Sequence, residues 1–175
     1  NIMLRLIDFC LEGVVYAVGS RCGTISERRI YESVSEIPDE IDMAVILVPA
    51  RFVPGVLEEC GRKGVKGLVM ITAGFKEVGG EGIAREEELV KLVRRHGMRL
   101  VGPNCMGIQN AEEGVRINAS FSRTFTPAGP VAFVSQSGAM GEAILAHADH
   151  INLGVKMFVS IGNRVDVSAN DLLAY

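Results

Sequence analysis

Residues 43–75, MAVILVPARFVPGVLEECGRKGVKGLVMITAGF, decide the fold. An apolar run, MAVILV (43–48), breaks at Pro49, and a second, GLVMI (67–71), breaks at Thr72-Ala73-Gly74. Neither alternates polar with apolar, so each reads as a strand covered on both faces, as in a parallel sheet. Between them Phe52, Val53, Val56, Leu57 and Cys60 fall on one helical stripe. Pro54 suits the first turn and Gly61 the C-cap. Strand, helix and strand in this order make a βαβ unit, whose crossover is right-handed.

The same alternation continues on both sides. VVYAV (14–18), RLVG (99–102), VAFVS (131–135) and KMFVS (156–160) read as further strands. IAREEELVKLVRRH (83–96) reads as a helix, with Glu86 to Glu88 first, Arg94, Arg95 and His96 last, and Gly97 to stop it. After residue 138, Met140, Ile144, Ala148 and Ile151 recur at helical spacing. The pattern predicts an α/β fold with a Rossmann-like parallel sheet. A polar stretch with two prolines and a glycine, SRTFTPAGP (122–130), is the expected domain boundary.

The ends are unusual. The sequence opens without Met, in a helix-like segment, NIMLRLIDFCLEG, whereas a doubly wound sheet begins with a central strand. It stops at DLLAY, inside a fresh helical pattern. The expectation is a piece of a longer protein, cut at both ends and lacking its first strand.

Composition narrows the class. The 175 residues are 48% hydrophobic and 6% aromatic, which suits one or two compact α/β units. Net charge is −3, from 18 Lys plus Arg against 21 Asp plus Glu, so nothing points to nucleic acid or an anionic membrane as partner. Cys10, Cys22, Cys60 and Cys105 are scattered, with no metal-site spacing, and predict reduced thiols in a cytoplasmic protein. No transmembrane span or signal peptide is expected.

Ligands of parallel sheets bind at the carboxyl ends of the strands. Those ends here run into Val48-Pro49-Ala50, Thr72-Ala73-Gly74-Phe75, Pro103-Asn104-Cys105-Met106-Gly107 and Ser135-Gln136-Ser137-Gly138. In the last, two hydroxyls, a carboxamide and the free N–H groups of a helix start converge, as an anion such as phosphate requires. Ser137 serves equally as a plain N-cap. A third reading, a nucleophile elbow, needs a later acid and histidine on separate strands, and only His147 and His150 follow, both in the next helix. On the residues alone, cap and phosphate site stay open.

The concurrence of VPA, ITAGF, GPNC, SQSG and a GN-x-x-D tail, in order across nearly the whole chain, resembles the NDP-forming acyl-CoA synthetases, relatives of the succinyl-CoA synthetase α subunit. The resemblance implies a CoA-binding Rossmann-like domain (1–125), without its first strand and Gly-rich turn, and the start of a flavodoxin-like domain (129–175). It implies an enzyme interconverting acyl-CoA, NDP and phosphate with acid, CoA and NTP through an acyl phosphate and a phosphohistidine. The residues implied for CoA are Arg21, Val48, Pro49, Ile71, Thr72, Ala73 and Asn104. Those implied for phosphate are Ser135, Gln136, Ser137 and Gly138. Gly19-Ser20-Arg21 stands where relatives usually read Asn-Pro-Lys, which keeps the charge in an altered turn. No catalytic residue is implied within the chain, because the phosphorylated histidine falls after Tyr175. ADP or GDP, the matching triphosphate and Mg would engage only an ATP-grasp domain or β subunit, and the parent protein would be oligomeric. This chain alone is expected to be inactive.

Two other readings stand beside this one. One is a non-catalytic domain sensing acyl-CoA or another effector within a protein lysine acetyltransferase. The other, from a different class, is an NAD(P)-binding oxidoreductase domain, which the sheet alone permits. Against the latter, VVYAV runs into Gly-Ser-Arg with no acid to meet a ribose. His96 reads as a surface cation at a helix end, His147 and His150 as solvated, and Cys105 as a small buried turn residue. The Gly74–Gly82 loop reads as a lid or as a connector. Asp166 and Asp171 read as helix caps or as part of the family tail.

Overall fold

The computed structural model describes residues 2–8, 13–21 and 23–175. Residue 1, residues 9–12 with Cys10, and Cys22 therefore lie outside the described residues. Helix α1 (Ile2–Asp8) precedes three short strands, β1 (Ala17–Val18), β2 (Thr24–Ile25) and β3 (Arg28–Tyr31). Next come β4 (Met43–Ile46), α2 (Val53–Lys63), β5 (Gly67–Met70), α3 (Glu81–Arg95) and β6 (Arg99–Val101). The chain continues through β7 (Gly107–Asn110), β8 (Ile117–Ser120), β9 (Val131–Ser135), α4 (Gly138–His150), β10 (Val155–Ser160) and α5 (Ala169–Ala174).

The expected α/β architecture is present. Strands β4, β5 and β6 form a parallel sheet in that order, with Ile46 opposite Met70 and Val69 opposite Val101. Helices α2 and α3 cover it, burying Val53, Leu57 and Cys60 from one and Leu89, Leu92 and Val93 from the other. These pack on Leu68, Met70, Phe75 and Leu100 in one continuous core. Near-complete removal of such side chains from water contributes about 2 kcal/mol each.

Four local expectations change. Helix α2 runs past Gly61 and ends at Gly64, whose φ of 86° is the left-handed cap. Gly61 is needed inside the helix, because a Cβ there would lie 2.2 Å from the His96 ring. The run 14–18 shrinks to two paired residues, and Val14 is exposed. After Asn104 the chain forms an unexpected antiparallel hairpin, β7 with β8, pairing Gly107 with Ser120 and Asn110 with Ile117. Finally α4 buries Gly141, Leu145 and Ala148, so of the expected stripe only Ala148 faces in.

That hairpin joins a second sheet of order β8-β7-β10-β9, with β10 antiparallel to β7 and parallel to β9. The sheet thus carries hydrogen bonds across the 125–129 divide expected from the sequence. The intervening segment is pinned at its start, where the Arg123 N–H donates to both oxygens of the Glu142 carboxylate on α4 at 3.0 and 3.2 Å. Further along, Gly129 lies so close to Gly154 that an added Cβ would fall 2.4 Å from the Gly154 Cα.

Candidate ligand crevice

Because β4 and β5 run parallel and end level, the segments leaving them lie side by side. The Thr72 hydroxyl, buried beneath the crevice, donates to the Val48 carbonyl at 2.8 Å, with the Ile46 carbonyl at 3.3 Å. Asn104 N–H in turn donates to the Thr72 carbonyl at 3.0 Å. The structure therefore brings Val48, Pro49, Ile71, Thr72, Ala73 and Asn104 together. Pro49, Ala73 and Asn104 are exposed on the rim, and Val48 and Ile71 are half-buried beside Thr72.

The turn after β6 needs special backbone. Gly102 has φ 106°, precedes a cis peptide bond to Pro103, and leads to Asn104 at φ 56°. A Cβ on Gly102 would sit 2.4 Å from the Met70 carbonyl oxygen, so only glycine lets β6 exit against β5. Cys105 is buried just beyond, its thiol donating to the Met70 carbonyl at 3.3 Å. Burial pushes that thiol up to about 11, so it is a poor nucleophile, as a structural turn residue should be.

From there the chain crosses directly to the second strand-exit cluster. Met106 N–H donates to the Ser160 hydroxyl at 2.9 Å, and a Cβ on Gly138 would lie 3.3 Å from the Met106 Cβ. The Gly102–Gly107 loop is therefore the physical link between the Thr72 crevice and the start of α4. At that start the Ser135 hydroxyl donates to the Ser137 carbonyl at 2.8 Å, and Ser137 Oγ accepts the Met140 N–H at 3.3 Å. Ser137 is thus the N-cap of α4. A cap uses the acceptor side of that hydroxyl and leaves its hydrogen for an outside acceptor. Gln136 and Ser137 are exposed, Gly138 is half-buried and Ser135 is buried.

Arg21 stands apart. It is exposed after β1, and among the described residues no hydrogen bond or ion pair joins it to Val48, Thr72 or Asn104. The tail following β10 is more informative than its sequence suggested. Val165 and Val167 N–H donate to the Gly102 and Leu100 carbonyls, stitching the tail along the edge of β6. Asp166 is no helix cap: it accepts the Leu100 N–H at 2.7 Å and Arg99 Nε at 3.0 Å. Asp171 does cap, with Ser168. Hydrogen bonds from the Ser168 hydroxyl and N–H, helped by Arg99, hold its carboxyl down at about 2.

Sequence reasoning missed two acids at the crevice mouth. Glu77 accepts the Gly74 and Phe75 N–H groups at 2.5 and 3.1 Å, and Asn163 Nδ2 at 2.6 Å. Burial pushes its carboxyl up, but the bonds from Asn163, Gly74 and Phe75 outweigh that and leave it below the ordinary value. Glu86, on α3, accepts Lys76 N–H at 3.3 Å and Asn163 Nδ2 at 2.9 Å. No local pattern could reveal the bonds to Asn163, which lies far along the chain from both acids.

His96 is not a free surface cation: its ring is mostly buried and pairs with Glu58 at 3.0 Å. Among the described residues no group of three or more His, Cys, Asp or Glu could hold a metal ion, and no helix is long and apolar enough to cross a membrane.

Two family models match the chain, a CoA binding domain over residues 2–111 and a succinyl-CoA ligase like flavodoxin domain over 128–175. The α subunit of acetate–CoA ligase [ADP-forming] I from Pyrococcus furiosus is 45% identical over 99% of the chain, which covers 38% of that protein. Acetate–CoA ligase [ADP-forming] from Methanocaldococcus jannaschii is 45% identical over 99% of the chain, here 24% of the relative. A solved structure of Candidatus Korarchaeum cryptofilum dinucleotide-forming acetyl-coenzyme A synthetase 1, in complex with phosphate and ADP, superposes with a TM-score of 0.93 at 41% identity. It spans 99% of the chain and 36% of its own. The chain thus corresponds to well under half the length of these proteins. With both models matched in order, it belongs to the CoA-binding domain family and joins that domain to a succinyl-CoA ligase-like flavodoxin domain, as in the NDP-forming acyl-CoA synthetases that its motifs resemble.

Proposed function

We propose that this chain is the CoA- and phosphate-holding part of an acid–CoA ligase that interconverts acyl-CoA, NDP and phosphate with acid, CoA and NTP. The observation that carries the reading is the Gly102–Gly107 loop, which bonds to Thr72 through Asn104 and packs through Met106 against Gly138 at the start of α4. One ligand can then meet both clusters. The crevice fits a molecule laid along backbone: Pro49 and Ala73 are exposed, Ala73 has a small side chain, and Gly74 has none, an added Cβ there lying a tight 3.2 Å from the Ala50 Cβ. Val48, Pro49, Ile71, Thr72, Ala73 and Asn104 would hold CoA, and Arg21 would meet one of its phosphates.

Ser135, Gln136, Ser137 and Gly138 would receive the phosphoryl group, through the spare hydroxyl hydrogen of Ser137 and the N–H groups of the first turn of α4. The division into a CoA-binding unit to residue 125 and a flavodoxin-like unit from 129 belongs to the same reading. So do a histidine after residue 175 that carries the phosphoryl group, an ATP-grasp domain or β subunit that holds nucleotide and Mg, an oligomeric parent and a cytoplasmic setting.

Calorimetric titration of the full-length protein with CoA, and separately with phosphate, tests it. Saturable binding of CoA is expected, weakened about tenfold by Arg21→Ala through loss of a charge-assisted contact. A folded sample that takes up neither ligand would overturn the assignment.

A further inference from the structure

Asn163 sits where three segments meet. Its backbone N–H donates to the Pro103 carbonyl at 2.9 Å, and its Oδ1 faces Asn104 Nδ2 at 3.4 Å. Its Nδ2 supplies both hydrogens, one to Glu77 Oε2 at 2.6 Å and one to Glu86 Oε2 at 2.9 Å. An amide NH₂ has two donors, and here both go to carboxylates. The segment leading into Asn163 is fixed as well, since Ser160 lies opposite Ser135 and Ile161 N–H donates to the Ser135 carbonyl at 2.9 Å. Gly162, at φ 53°, packs so tightly that a Cβ would lie 2.2 Å from the Pro103 carbonyl oxygen.

We infer that Asn163 is a positioning residue, a neutral clasp that holds the Gly74–Val78 loop and Asn104 in register with the start of α4. The inference rests on the ligand reading above for its functional consequence. Its mechanism is local and electrostatic. Glu77 fixes the loop by accepting the Gly74 and Phe75 N–H groups, and Glu86 fixes it by accepting Lys76 N–H. Two carboxylates drawn onto one loop repel unless a donor stands between them. Asparagine supplies two donors and no charge. Aspartate, nearly the same shape, would supply none and add a third negative charge.

The test uses the full-length protein. CoA titration of wild type, Asn163→Asp and Asn163→Asp/Glu86→Gln should show about a tenfold or greater loss in the single variant, with most of it restored in the double variant. Glu86→Gln returns a donor and removes a charge, a rescue that general loss of packing would not show. Amide exchange of Asn163→Ala gives an independent readout, with Gly74 and Phe75 exchanging faster while Val69 and Leu100 stay protected. Unchanged CoA affinity in Asn163→Asp, absence of rescue, or unchanged exchange at Gly74 and Phe75 would each overturn the clasp. Failure of the wild type to bind CoA would instead overturn the ligand reading, and the exchange experiment would still decide the role of Asn163.

Discussion

Helices α2 and α3 on one sheet and α4 on the other all cover parallel strands, yet they bury different kinds of residue. The first two turn Leu57, Leu89 and Leu92 inward and their charges outward. Helix α4 turns Gly141 and Ala148 inward beside Leu145, and leaves Met140 and Ile144 exposed. The cause lies on the strands. Phe133 and Phe158 stack with ring centroids 5.5 Å apart, and a Cβ on Gly141 would come within 2.7 Å of the Phe158 ring. Bulk has moved from helix to sheet, so the helix must be small where it touches. Hydrophobic periodicity locates a buried face when a helix has one apolar stripe; when it has two, the volume of the facing layer decides.

The largest effect that would sharpen this contrast is in the first unit. Leu57→Ala removes a fully buried side chain between α2 and the sheet and should lower stability by about 3 kcal/mol in equilibrium urea unfolding. A loss below about 1 kcal/mol would mean that the α2 face is not the core that its burial implies. The second unit should respond to the opposite change. Gly141→Ala adds one methyl against Phe158 and should cost about 2 kcal/mol by overpacking, whereas Ile144→Ala on the exposed face should stay within about 0.5 kcal/mol. Equal costs for the two would break the comparison.

The same difference explains how much could be read from the sequence. The βαβ core was legible because MAVILV and GLVMI are continuous apolar runs and the stripes of α2 and α3 have a single apolar face. The crevice was legible for a geometric reason: parallel strands end on one edge, so Val48-Pro49, Thr72-Ala73 and Asn104 had to be neighbours. The β7–β8 hairpin was not, because its partners are polar and small, Gln109, Asn118 and Ser120, buried in a network in which Gln109 Nε2 donates to the Ser120 hydroxyl at 3.1 Å. Such residues read as surface until their partners are known. The β2–β3 turn hid as well, since Ser26 and Glu27 adopt positive φ where glycine or asparagine would have signalled it. Asn163, Glu77 and Glu86 come together only through the tertiary fold, and no spacing rule reaches that far.

The smallest expected effect concerns α5, which buries no residue and leaves Leu173 exposed, so polar contacts must hold it. The main one is the cap between Ser168 and Asp171, in which the Asp171 carboxylate accepts the Ser168 N–H at 2.9 Å and its hydroxyl at 2.5 Å. These bonds, with Arg99 behind them, lower the Asp171 carboxyl from its ordinary 3.8 to about 2. A depressed carboxyl stabilises the folded helix at pH values above its unfolded value and loses that contribution as pH falls through the folded value. The amide protons of α5 should therefore begin to lose protection as pH drops from about 4 toward 2, before the buried sheet β4-β5-β6 responds. Asp171→Asn should remove this acid limb, because the amide keeps an acceptor but does not titrate. If the limb survives in that variant, the cap is not what holds α5, and the contrast between a first unit held by packing and a chain end held by hydrogen bonds fails at its weakest point.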